Sequence, residues 1–245
     1  MPNFSIIGEN DPFLHVSLQA GESIACESNA MVMMEDNLDL VGEMSGGFLS
    51  ALTRSLANGE SFFQQRIRAT RGAGDCLLAP ALPGSIEILE VGKQQYFLSD
   101  DAYMAASDGV DLTVRTQSIG NALFGGTGGF FIGQTSGAGK IAVSGFGSVF
   151  SIEVTPNKPV TIDNGHVVAW DSHLHYELSL RTSQNGGGML SGMLGRAASG
   201  LLGNTVNSLT SGEGIVLKFS GAGKIILCSR NKGAFLSWLS GQRPQ

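Results

Sequence analysis

The chain has 245 residues, of which 15% are charged and 35 are glycine, and its formal net charge is −6. This acidic balance gives no electrostatic footprint for nucleic acid or anionic lipid. Cys26, Cys76 and Cys228 are odd in number, far apart and without a CxxC pair, which argues against a disulfide framework or a zinc site and for buried thiols in a reducing compartment. The first ten residues lack a basic segment followed by an apolar core, so no signal peptide is expected. No stretch approaches the roughly 18 apolar residues of a spanning helix. The expected location is the cytoplasm.

Taken in order, the chain reads as short strands punctuated by glycine. Residues 31–40 (MVMMEDNLDL), 103–112 (YMAASDGVDL) and 166–178 (HVVAWDSHLHYEL) each give an apolar strand, an Asp and an alternating strand. Strand-like runs follow at 62–70, 130–135 and 215–220, each entered through a Gly-containing corner. In the last run, Ile215, Leu217 and Phe219 alternate with Val216, Lys218 and Ser220, the period of a half-buried strand. A Gly-Ala-Gly turn closes each run, beginning at Gly72, Gly137 and Gly221. Glycine there predicts positive φ, and the reading is a hairpin turn between paired antiparallel strands.

Gly84 matches Gly147, Glu90 matches Glu153 and Asp108 matches Asp171, each pair 63 residues apart. The predicted architecture is mainly β. It is a single domain over residues 1–245, built from three pseudo-repeats of short antiparallel strands at about 14–92, 93–155 and 156–232. A short tail follows the third repeat. Pro80, Pro83, Pro156 and Pro159 fall at connections, where they cost no ladder hydrogen bond. The inserts differ between repeats. Residues 44–60 carry Phe48, Leu49, Leu52 and Leu56 at helical spacing. Residues 186–204 carry apolar pairs on one helical face, interrupted by Gly192, Gly195 and Gly200, and should be ordered only where that face is covered. The second repeat has only a short Gly-rich segment. Residues 234–239 predict a turn or two of helix docked on the sheet.

Three segments carry a family resemblance: GESFF (59–63), GEGIVLKFSGAGKIILCSRN (212–231) and QAGESIACESNAMV (19–32). They resemble the altered-inheritance-of-mitochondria-twenty-four family, over about residues 14–232. The sequence departs from the family pattern at Gly126-Thr127-Gly128, where a Gly-Glu pair is usual, and has Ala inside all three Gly turns. The resemblance implies a fold similar to the tryptophan RNA-binding attenuation protein, with the short antiparallel strands forming a compact double-stranded β-helix or β-sandwich. It also implies a link, in fungal mitochondria, to inner-membrane organisation. It brings no catalytic, cofactor or metal residue.

Five features of the sequence bear on chemistry. His173, His175 and Glu177 at alternate positions could converge on one strand face as metal ligands. However, matching Leu174, Tyr176 and Leu178 to the apolar Val110, Leu112 and Val114 turns those side chains away from the core. The two SGAGK strings lack the first Gly and the Ser or Thr of a phosphate loop. Arg66, Arg68 and Arg71 beside Phe62 and Phe63 would suit a nucleic-acid groove, but the equivalent run in the second repeat has no cation. Cys26, Cys76 and Cys228 have no neighbouring His in sequence, and no Gly-x-Ser-x-Gly elbow sits between strand and helix. Asp36, Asp108 and Asp171 recur once per repeat, which suggests turn capping.

These readings assign no catalytic, cofactor-binding or metal residue and no cofactor. They favour a non-enzymatic scaffold or interaction protein that is a homo-oligomer. The alternatives are a small-ligand or metal-binding β module centred on His173 and His175, and a peripheral membrane factor using residues 186–204 or an RNA-binding factor. Nucleic acid is not an expected partner.

Overall fold

The structure, a computed structural model, describes residues 1–42, 64–117, 130–180 and 215–241. The inserts at 44–60 and 186–204, with Phe62 and Phe63, lie outside the described residues. Nineteen strands and one α-helix are described. β1 (Asn3–Ile7) precedes three units of six strands. The first unit is β2 (Phe13–Leu18), β3 (Ser23–Glu27), β4 (Met31–Met34), β5 (Leu38–Gly42), β6 (Gln64–Ala69) and β7 (Gly74–Leu78). The second is β8 (Gly84–Val91), β9 (Tyr96–Ser99), β10 (Tyr103–Ser107), β11 (Val110–Gln117), β12 (Phe130–Gly137) and β13 (Gly139–Phe146). The third is β14 (Val149–Val154), β15 (Val160–Asp163), β16 (Val167–Asp171), β17 (His175–Leu180), β18 (Ile215–Ser220) and β19 (Gly223–Cys228). Helix α1 (Lys232–Leu239) ends the described chain before a short turn.

All ladders between named strands are antiparallel, and the pairing follows one rule. Within a unit the first, sixth and third strands form one sheet, and the fourth, fifth and second form another. The second strand of each unit then pairs with the third strand of the next. The sheets are therefore β1-β2-β7-β4, then β5-β6-β3-β10-β13-β8, then β11-β12-β9-β16-β19-β14, then β15-β18-β17. The third strand of every unit carries a register shift at the same place, between Met31 and Met33, Tyr103 and Ala105, and Val167 and Ala169. A bulge repeated at one position is a built feature that bends the strand. Among the described residues none of the sheets closes into a barrel, and the protein is a mainly β, sandwich-like fold.

Alternation sets the faces. In β2, Leu14, Val16 and Leu18 are buried while His15 and Ser17 stay partly open. Three apolar cores result. The first is lined by Leu14, Ile24, Leu38, Ile67 and Leu78, the second by Leu89, Leu98, Leu112 and Ile141, and the third by Trp170, Leu217, Phe219 and Ile225. Fully burying such a side chain stabilises the fold by about 1.5–3 kcal/mol.

Several expectations change in detail. The Gly-Ala-Gly turns do have positive φ, +147° at Gly72, +82° at Gly137 and +107° at Gly221. They are not hairpins, because the strands they join lie in different sheets. At the second turn, Ala138 N donates to Gly109 O at 2.8 Å, so the corner is tied to a neighbouring turn while the chain crosses between layers. Pairing also places β8 in the second unit and β14 in the third, moving the unit borders ahead of residues 93 and 156. The offset of 63 holds from β8 to β14, where Val91 pairs with Gly139 and Val154 with Gly223. It becomes 64 across the longer link at 155–159, so Asp171 is the equivalent of Ser107, and Asp108 that of Ser172. Strand β1 was not anticipated; it pairs along β2 from Asn3 opposite Ser17 to Ile7 opposite Phe13.

Candidate functional site

The residues singled out for chemistry do not gather into one cleft. His173 lies in the turn between β16 and β17 and not on a strand. Its Nδ1 is 3.0 Å from Asp171 Oδ1, and its backbone N donates to the same oxygen at 2.9 Å. Asp171 is thereby the cap of that turn. His175 Nε2 is 3.4 Å from Glu177 Oε1, on the exposed face of β17, while Leu174 is buried behind them. Among the described residues no three His, Cys, Asp or Glu side chains are placed to hold a metal ion.

The arginines divide in the same way. Arg66 and Arg68 alternate along β6 with the buried Ile67 and Ala69, Arg66 half-buried and Arg68 exposed. Arg66 forms an ion pair with Asp108, and Ser23 Oγ donates to the same carboxylate. This cluster joins the first unit to the second. Arg71 lies in the turn after β6. Its Nη1 donates to Asp39 Oδ1 at 2.6 Å, its Nη2 to Leu38 O at 2.9 Å and its Nε to Asp36 O at 2.8 Å. Thr70 and Arg71 hold the Asp39 carboxyl below its ordinary range. Two residues in equivalent positions, Glu35 just after β4 and Ser107 at the end of β10, play a matching part in two units. Asp75 N donates to Glu35 Oε2 at 3.1 Å, and Lys140 N to Ser107 Oγ at 2.9 Å. The recurrent acids and hydroxyls thus hold turns and unit junctions.

The thiols are poor nucleophiles. Burial pushes Cys26 and Cys76 up to about 12, far from the thiolate range needed for attack. Burial also raises Cys228, whose Sγ is 3.3 Å from Arg230 O. One carboxyl departs strongly from its kind. Burial first, and then the Asp101 charge, push Glu27 up to about 7, against a smaller pull from Lys232. Lys232 itself is ion-paired with Asp101. The group sits where β3, the turn before β10 and helix α1 meet, and sequence spacing gave no hint of it.

Helix α1 has a different character. Asn231 caps it, its Oδ1 accepting from Ala234 N at 3.0 Å. Phe235 packs edge-on against Phe146, with ring centroids 5.2 Å apart. The rest of its apolar surface faces outward: Leu236 is 51% exposed, Trp238 68% and Leu239 58%. No helix among the described residues is long and apolar enough to cross a membrane.

Fold and side chains together define a mainly β, antiparallel, sandwich-like protein in which the polar side chains described above are engaged at turns and strand junctions. Comparison with known proteins places it more narrowly. The model of the AIM24 family, described as mitochondrial biogenesis AIM24, matches residues 4–230, and the chain belongs to that family. It is 33% identical over 239 residues to an uncharacterized protein of Streptococcus pyogenes serotype M6, covering 95% of this chain and 87% of the relative. It is also similar to a Streptococcus pyogenes protein solved by X-ray crystallography, with a TM-score of 0.74 and 30% identity over 98% of this chain and 99% of that one.

Proposed function

We propose that this AIM24-family protein is a non-enzymatic scaffold that self-associates and presents apolar surface to protein partners. The observation that supports this reading is how the side chains are used. Arg66, Asp108, Ser107, Arg71 and Asp171 are engaged at turns and unit junctions, while Leu236, Trp238 and Leu239 face solvent on a helix held in place by Phe235. Exposed aromatic and aliphatic side chains on a fixed support are the usual anchors of a protein interface.

The test is affinity capture of the tagged protein from its own host, beside a Leu236→Asp, Trp238→Asp variant. A stoichiometric partner retained by the native chain and lost by the variant supports the reading. Equal recovery by both chains, or none by either, overturns the role of the helix. The same exposed residues also suit a membrane surface, so flotation with liposomes is the companion measurement. Binding lost in that variant would move the reading to a peripheral membrane protein.

A further inference from the structure

The rule that joins the units is left unfinished at β4 and β15 among the described strands. Strand β3 pairs with β10, and β9 with β16, in the same register. Cys26 faces Ala105, Ala25 faces Ala106 and Ile24 faces Ser107. Leu98 faces Ala169, Phe97 faces Trp170 and Tyr96 faces Asp171. The equivalent strand at the end of the third unit is β15, and the equivalent strand at the start of the first is β4. Both are the outermost strands of their sheets.

Burial shows what each joint does. Met104 and Ala105 of β10 are members of the first unit's core, and Val168 and Ala169 of β16 are members of the second's. The third strand of a unit therefore closes the core of the unit before it. The same positions in β4 are Val32 and Met33, which are 52% and 42% exposed. The third core, in turn, has Val160, Ile162 and Tyr176 only partly covered. β4 reads Met-Val-Met-Met, without the lysine, proline or inward charge that ordinarily guards an edge strand.

Charge follows the same equivalence. At the first joint Arg66 is ion-paired with Asp108. At the second the equivalent residues are the neutral Gln134 and Ser172. At the open ends they are Lys218 and Asp36, both exposed and opposite in sign.

We infer that the protein assembles head to tail, β15 of one copy adding to β4 of the next by repeating its own internal joint. The register places Ile162 opposite Met33, Thr161 opposite Met34 and Val160 opposite Glu35. Val32 and Met33 close the third core of the neighbour, and Lys218 meets Asp36. Such an interface is heterologous, so it yields rings where the rotation closes and open chains where it does not. This deepens the scaffold reading by naming the partner as a second copy. The mass of the assembly reports on the joint whether or not other proteins are captured.

The experiment uses the whole chain and sedimentation velocity over a range of concentrations. Native protein should exceed the monomer mass. Val32→Lys, which blocks one edge, and Ile162→Lys, which blocks the other, should each be monomeric, with circular dichroism confirming the fold. Mixed together, they retain one competent edge each and should form a 1:1 dimer and nothing larger. An isologous interface would give no such rescue. Asp36→Lys should weaken association, and Lys218→Asp in the same chain should restore it without altering the fold. A native monomer at every concentration overturns the inference, as does a mixture that stays monomeric, or single variants that keep the native mass.

Discussion

Gly84 and Gly147, which hold the same position in successive units, lie backbone against backbone. Ser85 N donates to Gly147 O at 2.8 Å and Gly147 N to Pro83 O at 2.9 Å, forming an isolated parallel bridge outside the antiparallel ladders. A Cβ on Gly84 would stand 1.9 Å from Gly145 O and 2.7 Å from Gly147 N. These are main-chain atoms that cannot swing aside.

Gly84→Ala should therefore destabilise the fold by about 3 kcal/mol, the upper end of overpacking costs. Gly92→Ala is the control, since its Cβ would meet only Ala138 Cβ at 4.0 Å. It should be neutral or slightly stabilising, through a less flexible unfolded chain. Denaturant unfolding midpoints separate the two, and equal midpoints would refute the close approach.

Glu27 gives a pH dependence. Its folded pKa, about 7, is raised above the ordinary 4.5, so the fold prefers the protonated form. Its contribution is neutral below the unfolded value. Stability is lost as pH rises from about 4.5 towards 7, and above that range the penalty is complete. Glu27→Gln should raise the melting temperature at pH 8 and leave it nearly unchanged at pH 4. For a partly buried group the gain is on the order of 1 kcal/mol. A variant that gains equally at both pH values would refute the titration and leave only a packing effect.

The thiols offer a direct probe. Cys26 and Cys76 are fully buried, with thiolates disfavoured by desolvation. A disulfide reagent should reach neither in native protein and all three cysteines after denaturation. The half-buried Cys228 should react slowly in between, and Cys228→Ser should abolish native reactivity. Rapid native labelling of that variant would show that a core opens.

Much of this was legible in the residues. Alternation marked β18, and the Gly-Ala-Gly strings marked corners where φ is positive. The match of Leu174 and Tyr176 to Val110 and Leu112 correctly turned His175 and Glu177 outward. The partners of the strands were not legible. A corner that crosses between sheets has the same glycines as a hairpin, and nothing local says that β12 bonds to β9 and β11 in place of β13. The repeating Asp was misplaced by one residue because a single extra residue at 155–159 is invisible to an ungapped comparison. The Glu27 group was hidden because Glu27, Asp101 and Lys232 are far apart in the chain and meet only once β3, β10 and α1 are assembled.

The two tryptophans carry the last prediction, because they sit at opposite extremes of one molecule. Trp170 is fully buried in the third core. Its ring lies 5.3 Å from that of Tyr176, 5.6 Å from Phe97 and 5.6 Å from Phe219, in tilted and edge-on contacts. Such contacts add about 0.5–1.5 kcal/mol each to the area term. Trp238 is 68% exposed and stacked on Phe235 at 6.1 Å. Trp170→Ala should cost about 3–5 kcal/mol, as for other large aromatic truncations in cores. Trp238→Ala should cost at most about 1 kcal/mol, because it empties no cavity. Fluorescence reads the same contrast without perturbing the core. Native emission should contain a blue component resistant to acrylamide, from Trp170, and a red component readily quenched, from Trp238. In Trp238→Phe only the blue, protected component should remain, shifting red on unfolding. A Trp238→Phe protein that emits red and quenches freely while still folded would show that the third core is open to water.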